Sequence, residues 1–555
     1  MNFEQVYAAA EAGCDFLSNK DCTKIYISSS PEDSSIAGIR DCFQEETDRQ
    51  GIQARIIKTG PYGYDDLEPM VRIEKPGRCT ILYHNMTPET VSELVDSYLQ
   101  NDNPRPDFAL CSTGEQKING IPHISQLQLF NLQNRIALRN CGYIDPEDIN
   151  QYIVIAKGYS GLSRALQLSP KEIIEELAKT GIRGKGGAGY PTADKWHICH
   201  DVEGTEKYAI CNAIDADPQA RTARLLLESD PHSVLEGLLI GAYAVGALHC
   251  FICVNSEYHK EIEVLRRAIE QMKKYNLLGD NILDSDFKCD IEIKEIKSSL
   301  VSGEETALIR SLENKQAMPY LRTMYPAVKG LNDKPTLINS AETLACVSAA
   351  FRDSTESVSG TGTDKSKGTK VITLSGEIKH GYTIEVPFGT TLRTIIQDIG
   401  GGMPGGQSIK AVQFGGPTGS LFTNSALDTA VSYEAMEEAG GIIGSGTVEV
   451  LDSDRCAVET ARDIMTYLQA ESCGKCVFCR EGTYQIADIL NDIAENKGTQ
   501  EDLELLLELA EGMKIGSICG LGRTAPLPVL SSINLFRDDY EVHIKEKRCP
   551  DKNSN

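Results

Sequence analysis

The sequence predicts an α/β protein of several domains whose C-terminal part is a bundle of helices. A chain of 555 residues is longer than a single hydrophobic core usually serves, so several domains are expected. Strand-like and helix-like segments alternate over most of the chain, which is typical of α/β folds, and only helical periodicity follows them. These patterns divide the chain into units at residues 1–130, 131–352, 370–454 and 455–545.

Residues 1–130 predict a small α/β domain. The segments CTKIYISSS, QARIIKT and TILYHN are strand-like, and the segments SIAGIRDCFQEETDRQG and TPETVSELVDSYLQ are helix-like. In the second helix Thr87 suits the N-cap and Pro88 suits the first turn. The alternation therefore predicts one compact unit before the rest of the chain.

Residues 131–352 predict a βαβαβ arrangement. The strand-like segments are YAICNA, HCFICVN and CDIEIKEI, and the helix-like segments between them are PHSVLEGLLIGAYAVGA and EYHKEIEVLRRAIEQMKKY. Cys250 and Cys253 form a CxxC pair in the second strand. Because residues three apart on a strand point to opposite faces, we expect core thiols at these positions.

The segment GIRGKGGAGYPTADKW, residues 181–196, contains a GxGxxG pattern. The residues before it have helical periodicity, and Gly181 suits a helix C-cap, so the context differs from the strand-to-helix turn of a Rossmann domain. Its glycines, together with Arg183, Lys185 and Lys195, would still offer N–H groups and positive charge to a phosphate-bearing ligand. A flexible surface loop is the alternative.

The last two units follow a stretch that is rich in Ser, Thr and Gly. This stretch, DSTESVSGTGTDKSKGT at residues 353–369, predicts a flexible connector. From Lys370 to about Asp454, short β-type runs separated by glycines predict a small β-rich domain. In the remainder, CAVETARDIMTYLQAE, TYQIADILNDIAEN and EDLELLLELAEGMK have apolar residues at helical spacing and predict a bundle.

The most specific functional signal is the segment ESCGKCVFCREGT. It sets Cys473, Cys476 and Cys479 at CxxCxxC spacing, and Cys519 follows in SICGLGRTAP. Three thiolates from one loop and a fourth from a distance are typical ligands of a [4Fe-4S] cluster. Structural zinc more often uses two separate CxxC knuckles or a His, and four buried structural cysteines are the remaining alternative. We therefore predict a cluster and single-electron transfer.

The composition limits which partners and which cellular compartment we expect for the protein. Lys plus Arg number 55 against 80 Asp plus Glu, and the net charge of −25 argues against nucleic acid or anionic lipid as partners. No apolar run reaches the length of a membrane span, and the N-terminus lacks the pattern of a signal peptide. Eighteen cysteines without a small secreted framework indicate a reducing cytoplasm.

Six motifs, in order, carry a family resemblance. They are GIRGKGGAGYPTADKW, YAICNA, SGEETALIRSLENKQAMPYLRTMYPAVKG, KPTLINSAETL, ESCGKCVFCREGT and SICGLGRTAP. From about residue 140 to the C-terminus the chain resembles the NADH-binding flavoprotein (51 kDa) subunit of respiratory complex I. The same pattern occurs in soluble NAD-linked hydrogenases, formate dehydrogenases and electron-bifurcating complexes. The resemblance implies a Rossmann-like FMN and NAD(P)-binding domain at 131–352, an SLBB (β-grasp) domain at 370–454 and a helical bundle with the cluster at 455–545.

The resemblance also implies the cofactors and their site. The cofactors would be FMN, a [4Fe-4S] cluster and NAD(H) or NADP(H). The cluster ligands would be the four cysteines named above. The other residues that it assigns to cofactor binding are Gly184, Gly186, Gly187, Gly189, Tyr190, Lys195, Asn212, Asp215, Asp217, Gly303, Glu304, Glu305, Tyr325, Asn339 and Ser340. Glycines and Lys195 would hold phosphates, the two tyrosines would stack on the adenine, and most of the others would line the flavin. The adjacent carboxylates Glu304 and Glu305 could instead be simple partners of a helix dipole.

Three positions depart from the family pattern. Ile214 replaces an acid that contacts the flavin, the shorter Asp217 stands on the nucleotide side, and Ser340 replaces one of two paired Asn. Arg221 and Arg224 follow the altered loop and would add positive charge close to the nucleotide. We expect FMN binding to be retained, while the choice between NADH and NADPH stays open.

The implied function is hydride transfer between a nicotinamide nucleotide and FMN, followed by single-electron transfer to the cluster, with no side chain acting as acid or base. The chain would be an NAD(P)H dehydrogenase-type subunit of a larger oxidoreductase. Its partners would be other Fe-S or flavin subunits, including a thioredoxin-like [2Fe-2S] subunit. Two alternatives remain: an electron-bifurcating subunit, or a non-catalytic scaffold or electron relay with a degenerate nucleotide site.

The N-terminal unit resembles the thioredoxin-like ferredoxin domain that hydrogenase relatives carry at this position. Those domains hold a [2Fe-2S] cluster, but here KTGPYGYDDLEP has Pro61 and Asp65 where thiols would stand, and SSSPEDSS offers only oxygen groups. Of the remaining cysteines, Cys42 and Cys79 lie in runs that favour buried thiols. We therefore expect a docking or structural module without a cluster.

Overall fold

The structure is a computed structural model that describes the chain except residues 15–18, 20, 29, 31–34, 204–205, 322 and 552–555. The described residues form three β-sheets flanked by helices and a C-terminal group of helices. The predicted α/β fold of several domains is thus confirmed. No described helix is both long and apolar enough to cross a bilayer.

The first unit is a five-stranded sheet with helices. Its elements are α1 (Phe3–Gly13), β1 (Thr23–Ser28), α2 (Ser35–Gln50), β2 (Ala54–Thr59), β3 (Met70–Glu74), β4 (Thr80–Tyr83), α3 (Pro88–Leu94) and β5 (Ala109–Thr113). The strand order is β2-β1-β3-β4-β5, with β1 and β2 parallel and the other pairs antiparallel. Strands β3 and β5 were not predicted from the sequence. The SSSPEDSS segment falls mostly outside the described residues.

The second unit is built on a parallel sheet. The short helix α4 (Gln128–Asn131) precedes this unit and packs on the core of the third unit. The elements of the second unit are α5 (Ile149–Val154), α6 (Ser160–Ala165), α7 (Pro170–Thr180), α8 (Thr192–Asp201), β6 (Tyr208–Ala213), α9 (Thr222–Ser229), α10 (Pro231–Val245), β7 (His249–Asn255), α11 (His259–Lys274), β8 (Asp290–Ile296), α12 (Glu305–Leu312), β9 (Thr336–Ser340) and α13 (Ala341–Arg352), and α14 (Thr355–Ser359) follows. The strand order is β8-β7-β6-β9, all parallel. The predicted strands and crossover helices are all present, and Cys250 and Cys253 are buried as expected.

The order of this sheet fixes where a ligand can bind. The chain runs from β6 outward to β7 and β8 and then returns to place β9 on the other side of β6. At such a switch point the loops after two neighbouring strands diverge and leave a crevice at their carboxyl ends. Here Asn212 of β6 lies beside Ser340 of β9 at that edge.

The third unit is a mixed five-stranded sheet. Its elements are β10 (Thr369–Gly376), β11 (Thr383–Pro387), β12 (Ile409–Phe414), β13 (Ser420–Phe422), α15 (Tyr433–Glu438) and β14 (Thr447–Asp452). The strand order is β11-β10-β14-β12-β13, with β10 and β14 parallel at the centre. All predicted strands of this unit are present, and the short β13 is an addition.

The prediction of a flexible connector at residues 353–369 is wrong. This stretch contains α14 and is packed between the second and third units, with Val358 and Ser366 both buried. Ser366 Oγ donates to Glu434 Oε2 at 2.7 Å. The small polar residues therefore serve close packing and local hydrogen bonds, a use that composition alone does not distinguish from flexibility.

The C-terminal helices form the fourth unit. They are α16 (Ala457–Ala470), α17 (Val477–Ala494), α18 (Gln500–Gly516), α19 (Gly520–Thr524), α20 (Leu527–Leu535) and α21 (Arg537–Glu541). Leu468, Ile486, Leu490 and Leu506 are among the buried residues of their shared core. The bundle predicted from the apolar periodicity is thus present, and α19 and α21 are short additions.

Buried polar and apolar contacts join the units. Glu342 of α13 pairs with Lys370 of β10, and its Oε1 accepts a hydrogen bond from Val371 N at 2.8 Å. Helix α1 packs on α5, and its Val6 and Ala10 belong to the core of the second unit. Removing one partner of a buried ion pair costs about 3–5 kcal/mol, so the Glu342–Lys370 contact fixes the third unit against the second.

Candidate cofactor and cluster site

The glycine-rich loop between α7 and α8 lies at the crevice. Lys185 N donates to Thr343 Oγ1 at 2.9 Å in the first turn of α13, and a methyl group on Gly186 would lie 3.9 Å from Ser340 Cβ. Gly181 caps α7 with a left-handed backbone, as predicted. The loop and the ends of β6 and β9, which the sequence assigned to one site, are therefore neighbours.

Glycine is required in this loop by backbone angle and by close packing. Gly187 has φ +114° and Gly189 has φ +63°. A methyl group on Gly189 would lie 2.4 Å from the Tyr433 ring, and one on Gly187 would lie 3.0 Å from Gly444 O. Tyr433 OH also donates to Gly184 O at 2.9 Å. The third unit thus holds one side of the loop, a contact that the sequence did not indicate.

The structure corrects the predicted roles of two basic residues. Arg183 Nε donates to Gly189 O at 2.6 Å, and its guanidinium pairs with Glu434 of the third unit. Lys185 Nζ donates to Thr369 O at 2.7 Å, and burial lowers the pKa of this ammonium. Both charges point toward the third unit, so neither is free for a phosphate. Both residues instead hold the loop in place.

Lys195 and Glu305 form the charged pair of the crevice. Lys195 Nζ donates to Glu305 Oε1 at 2.6 Å and to Ile338 O at 3.0 Å. Both side chains remain about a quarter exposed. Glu304 differs, because its Oε2 accepts hydrogen bonds from Thr306 N and Ala307 N at 2.8 and 3.0 Å and caps α12. Of these two adjacent carboxylates, Glu305 is therefore the one placed beside the lysine.

Polar residues at the strand ends are held by neighbouring groups. Asn212 Nδ2 donates to Gly303 O at 3.0 Å, and Trp196 Nε1 donates to Asn339 Oδ1 at 3.0 Å. Ser340 Oγ accepts a hydrogen bond from Thr343 N at 3.4 Å and caps α13. These contacts fix the walls of the crevice.

The two acids after β6 have protein partners. Asp215 accepts hydrogen bonds from Ala223 N and Arg224 N at 3.0 and 2.9 Å at the start of α9, and burial raises its pKa to about 6. Asp217 Oδ2 accepts from Ser445 Oγ and Thr447 Oγ1, both at 2.6 Å. Both carboxylates therefore shape the loop and tie it to the third unit.

The other departures from the family pattern also have structural partners. Ile214 is fully buried in an apolar cluster that includes Leu308 and Ile338. Arg221 pairs with Asp65, and Arg224 pairs with Glu228 and Glu261. Both arginines thus have acidic partners, and their effect on a bound nucleotide stays a prediction. The Arg221–Asp65 pair joins two units and leaves no local signal in the sequence, whereas Arg224 and Glu228 lie four residues apart in α9.

Two tyrosines assigned to adenine stacking are exposed. Tyr190, at the end of the glycine loop, is 43% exposed, and Tyr325 is 61% exposed. Their exposure leaves ring faces available for stacking.

The four cysteines with the spacing of cluster ligands meet at one end of the bundle. Cys473 and Cys476 lie in the loop between α16 and α17, Cys479 lies in the first turn of α17, and Cys519 precedes α19. Burial, with a contribution from the other three thiols, raises the pKa of Cys479 to about 11. The loop thiols and Cys519 thus converge, although 40 residues separate Cys479 from Cys519.

A second thiol group went unnoticed in the sequence. The ligand atoms of Cys456, His543 and Cys549 lie within 4.8 Å of one another, and His543 Nδ1 lies 3.0 Å from Asn496 Oδ1. Two thiols and one imidazole are three of the four ligands that a structural zinc ion takes. Within the described ranges this is the one group of three or more His, Cys, Asp or Glu with that spacing, so no three of the four cysteines at the bundle end lie as close together.

Comparisons with known proteins decide the family. The family model described as "Nuo51 FMN-binding domain" matches residues 177–349, and "NADH-ubiquinone oxidoreductase-F iron-sulfur binding region" matches residues 459–543. NADP-reducing hydrogenase subunit HndC of Solidesulfovibrio fructosivorans is 44% identical over 75% of this chain and 85% of its own length. The chain belongs to the Nuo51 family of NADH-quinone oxidoreductase flavoproteins. This confirms the family that the sequence motifs indicated.

Other relatives agree with this assignment. An NADH-quinone oxidoreductase subunit of Rhizobium meliloti (strain 1021) is 36% identical over 75% of this chain and 99% of its own length. The crystal structure of an NAD⁺-reducing [NiFe]-hydrogenase in the H2-reduced state covers 96% of this chain and 86% of that chain, with a TM-score of 0.67 and 26% identity. FMN, a [4Fe-4S] cluster and a nicotinamide nucleotide are therefore the cofactors of this Nuo51 family member.

The residues present fit these cofactors. On Gly184 and Gly186 a methyl group would have no atom nearer than 3.5 Å, so this flank of the glycine loop is open to a phosphate. Thr192 Oγ1, at the start of α8, is buried and has no hydrogen-bond partner among the described residues. At the cluster, Ser472 Oγ lies 3.4 Å from Cys479 Sγ, so a hydroxyl already faces a ligand sulfur. Soft sulfur donors of this kind select iron–sulfur clusters.

Proposed function

We propose that this chain is the subunit of a larger oxidoreductase in which electrons pass between NAD(H) or NADP(H), FMN and the [4Fe-4S] cluster. The proposal rests on one segment, residues 300–319, which connects the crevice to the cluster. Glu305 of that segment pairs with Lys195 in the crevice, and burial, with a smaller contribution from the carboxylate of the neighbouring Glu304, raises the pKa of Cys519. The two cofactor sites are therefore close enough to share adjacent residues.

Further contacts hold this segment against the cluster loop. Leu300 N donates to Glu471 Oε2 at 2.7 Å, and Lys475 Nζ donates to Pro319 O at 2.8 Å. The beginning and the end of residues 300–319 are thus each tied to the loop that bears the cysteines. A fixed geometry between the sites suits electron transfer, in which the protein contributes position rather than chemistry.

The side chains of the site bind and orient. Bound FMN supplies the chemistry by exchanging a hydride with nicotinamide and single electrons with the cluster. The glycine loop offers N–H groups to phosphates, and Lys195 offsets their charge. Tyr190 and Tyr325 offer ring faces to the adenine. No proton transfer at a side chain is required, so we assign no catalytic acid or base.

We propose domain identities that accord with the sheet orders. The N-terminal unit, residues 1–130, is thioredoxin-like, and residues 131–352 form a Rossmann-like FMN and NAD(P)-binding domain. Residues 370–454 form an SLBB (β-grasp) domain, whose central parallel pair β10–β14 supports this assignment. Residues 455–545 form the helical bundle that carries the cluster.

The partners that we propose are other Fe-S or flavin subunits, including a thioredoxin-like [2Fe-2S] subunit. Val477, Phe478 and Ile515 are 59%, 53% and 83% exposed. The first two lie between ligands Cys476 and Cys479, and Phe478 contacts Gly516, next to Ile515. An exposed apolar patch beside a redox centre suits a docking Fe-S subunit. Ile515→Asp should reduce recovery of that subunit with the chain, and recovery at the original level would count against this surface.

The FMN content of the purified chain tests the proposal against a non-catalytic scaffold. We expect about one FMN per chain, seen as flavin absorbance and released on denaturation. A chain that folds and retains its iron but binds no FMN, even when FMN is added, would favour the scaffold. Co-purification of further flavin subunits with ferredoxin-linked activity would instead indicate electron bifurcation.

A further inference from the structure

Ser517 has a buried hydroxyl beside the cluster ligands. It follows α18, stands two residues before Cys519 and is 2% exposed. Its Oγ has no hydrogen-bond partner among the described residues. A buried hydroxyl without a partner costs about 1–3 kcal/mol, so most such groups in native proteins find an acceptor or a donor.

The backbone of Ser517 is held on both sides. Its N–H donates to Met513 O at 3.1 Å, and its carbonyl accepts a hydrogen bond from Arg523 Nε at 3.0 Å. The unpaired hydroxyl therefore belongs to a residue with a fixed main chain. The direction of its Cα–Cβ bond is set by the fold at the end of α18.

One of the predicted cluster cysteines, Cys479, lies close to this hydroxyl. A methyl group on Gly522 would lie 2.8 Å from Ser517 Oγ and 3.1 Å from Cys479 Cβ, so the hydroxyl and the ligand side chain converge on the same point. Ser472 Oγ already lies 3.4 Å from Cys479 Sγ. The Gly522 N–H also forms a hydrogen bond to Cys519. A hydroxyl and a backbone N–H thus already lie beside two of the cysteine sulfurs.

We propose that Ser517 donates a hydrogen bond to a sulfur of the [4Fe-4S] cluster and thereby raises the reduction potential of that cluster. Reduction adds one negative charge, which is spread over the sulfurs, and an O–H donor stabilises the reduced state more than the oxidised state. Ser517 is then a positioning residue that adjusts how readily electrons reach the cluster. The proposal rests on Cys479 and Cys519 being cluster ligands.

The test is a redox titration of the full chain followed by EPR of the reduced cluster. Ser517→Ala should keep its iron and shift the midpoint potential to a more negative value, because the donor is lost. Ser517→Thr keeps the hydroxyl and should restore most of the shift. Pulsed hyperfine measurements in H2O and D2O should show an exchangeable proton coupled to the cluster, which Ser517→Ala removes.

Controls separate this proposal from structural effects. Ser531→Ala removes a hydroxyl from the same bundle that accepts from Leu421 N and donates to Leu527 O, and it should leave the potential unchanged. Cys519→Ser should lose iron, which tests the ligand assignment separately. An unchanged potential and an unchanged exchangeable proton in an iron-loaded Ser517→Ala protein would overturn the proposal.

Discussion

The charged side chains near the crevice divide into those that build it and those that can face a ligand. Asp215, Asp217 and Glu304 are each satisfied by backbone or hydroxyl donors of the protein. Lys195 and Glu305 stay partly exposed and pair with each other. A phosphate entering the crevice can therefore compete for Lys195 without breaking the loops that surround it.

Lys195→Met tests which lysine serves the phosphates. A hydrogen bond to a charged group contributes about 1.5–3 kcal/mol, so we expect FMN or nucleotide affinity to fall by roughly tenfold or more. The matched control is Lys185→Met, because the Lys185 ammonium is buried against Thr369 O. That variant should lose stability, and its ligand affinity should fall less than that of Lys195→Met because no direct contact with a phosphate is removed. Equal losses of affinity in the two variants, measured by equilibrium titration, would contradict the assignment.

Cys519→Ser tests the remote cluster ligand. A hydroxyl is a poor substitute for thiolate on an iron–sulfur cluster, so the variant should lose most of its iron and its reduced-cluster EPR signal. Cys549→Ser is the matched control, because Cys549 belongs to the separate group with Cys456 and His543. Full iron content in the Cys519 variant would show that another residue completes the cluster.

Among the secondary-structure elements, those of the third unit hold the glycine loop as much as its own flanking helices do. Tyr433 and Glu434 of α15 contact Gly184, Gly189 and Arg183. The loop is therefore fixed from both sides before any ligand binds. A preorganised loop spares the ligand the entropy of ordering it.

Gly189→Ala should lower FMN content and stability together. Alanine is strained at φ +63°, and its methyl group would meet the Tyr433 ring. Gly246→Ala is the control, because Gly246 has φ +80° and no atom within 4 Å of the added methyl. The control should cost about 1 kcal/mol of stability from backbone strain alone and should keep its FMN. A Gly189→Ala protein with normal FMN content would show that the loop does not hold the cofactor.

Local sequence predicted most strands of the three sheets, but not the partners of the glycine loop. YAICNA was recognisable as the strand β6 because most of its residues are apolar or small. Such a run is typical of a buried parallel strand. MVRIE and ALCST went unnoticed as β3 and β5, since charges or small polar residues interrupt their apolar pattern. The sequence indicated phosphates as partners of Lys185, whereas its hydrogen-bond acceptor in the structure is Thr369 O, 184 residues away in another unit. Pairings over that distance leave no local signal.

In the molecule as a whole, the N-terminal unit is held against the other units by its loop KTGPYGYDDLEP. The cluster-bearing domains that this unit resembles have cysteines in the matching loop. Tyr62 and Tyr64 of this loop are almost fully buried, and Tyr64 packs edge-on against Tyr382 of the third unit. Ser229 Oγ donates to Pro61 O at 2.9 Å. Close packing at this position suits a docking or structural role for the unit. Cys42 and Cys79 are only half-buried, which corrects the expectation of buried thiols.

Iron analysis of the full chain tests whether the N-terminal unit holds a cluster. We expect about four iron atoms per chain, from the single [4Fe-4S] cluster. The Cys519→Ser variant provides the matched control, because it should retain almost no iron if the N-terminal unit binds none. About two residual iron atoms with a [2Fe-2S] absorption spectrum in that variant would refute the expectation.

The central claim is that one electron path joins the nucleotide, FMN and the cluster in this chain. Anaerobic titration of the purified holoprotein with NADH, and separately with NADPH, tests it most directly, with flavin absorbance and cluster EPR followed together. We expect that at least one nucleotide bleaches the flavin and produces the reduced-cluster signal, whereas Cys519→Ser keeps the bleaching and loses the signal. If dithionite reduces both centres while neither nucleotide bleaches the flavin, hydride transfer does not occur at this site and the claim is wrong.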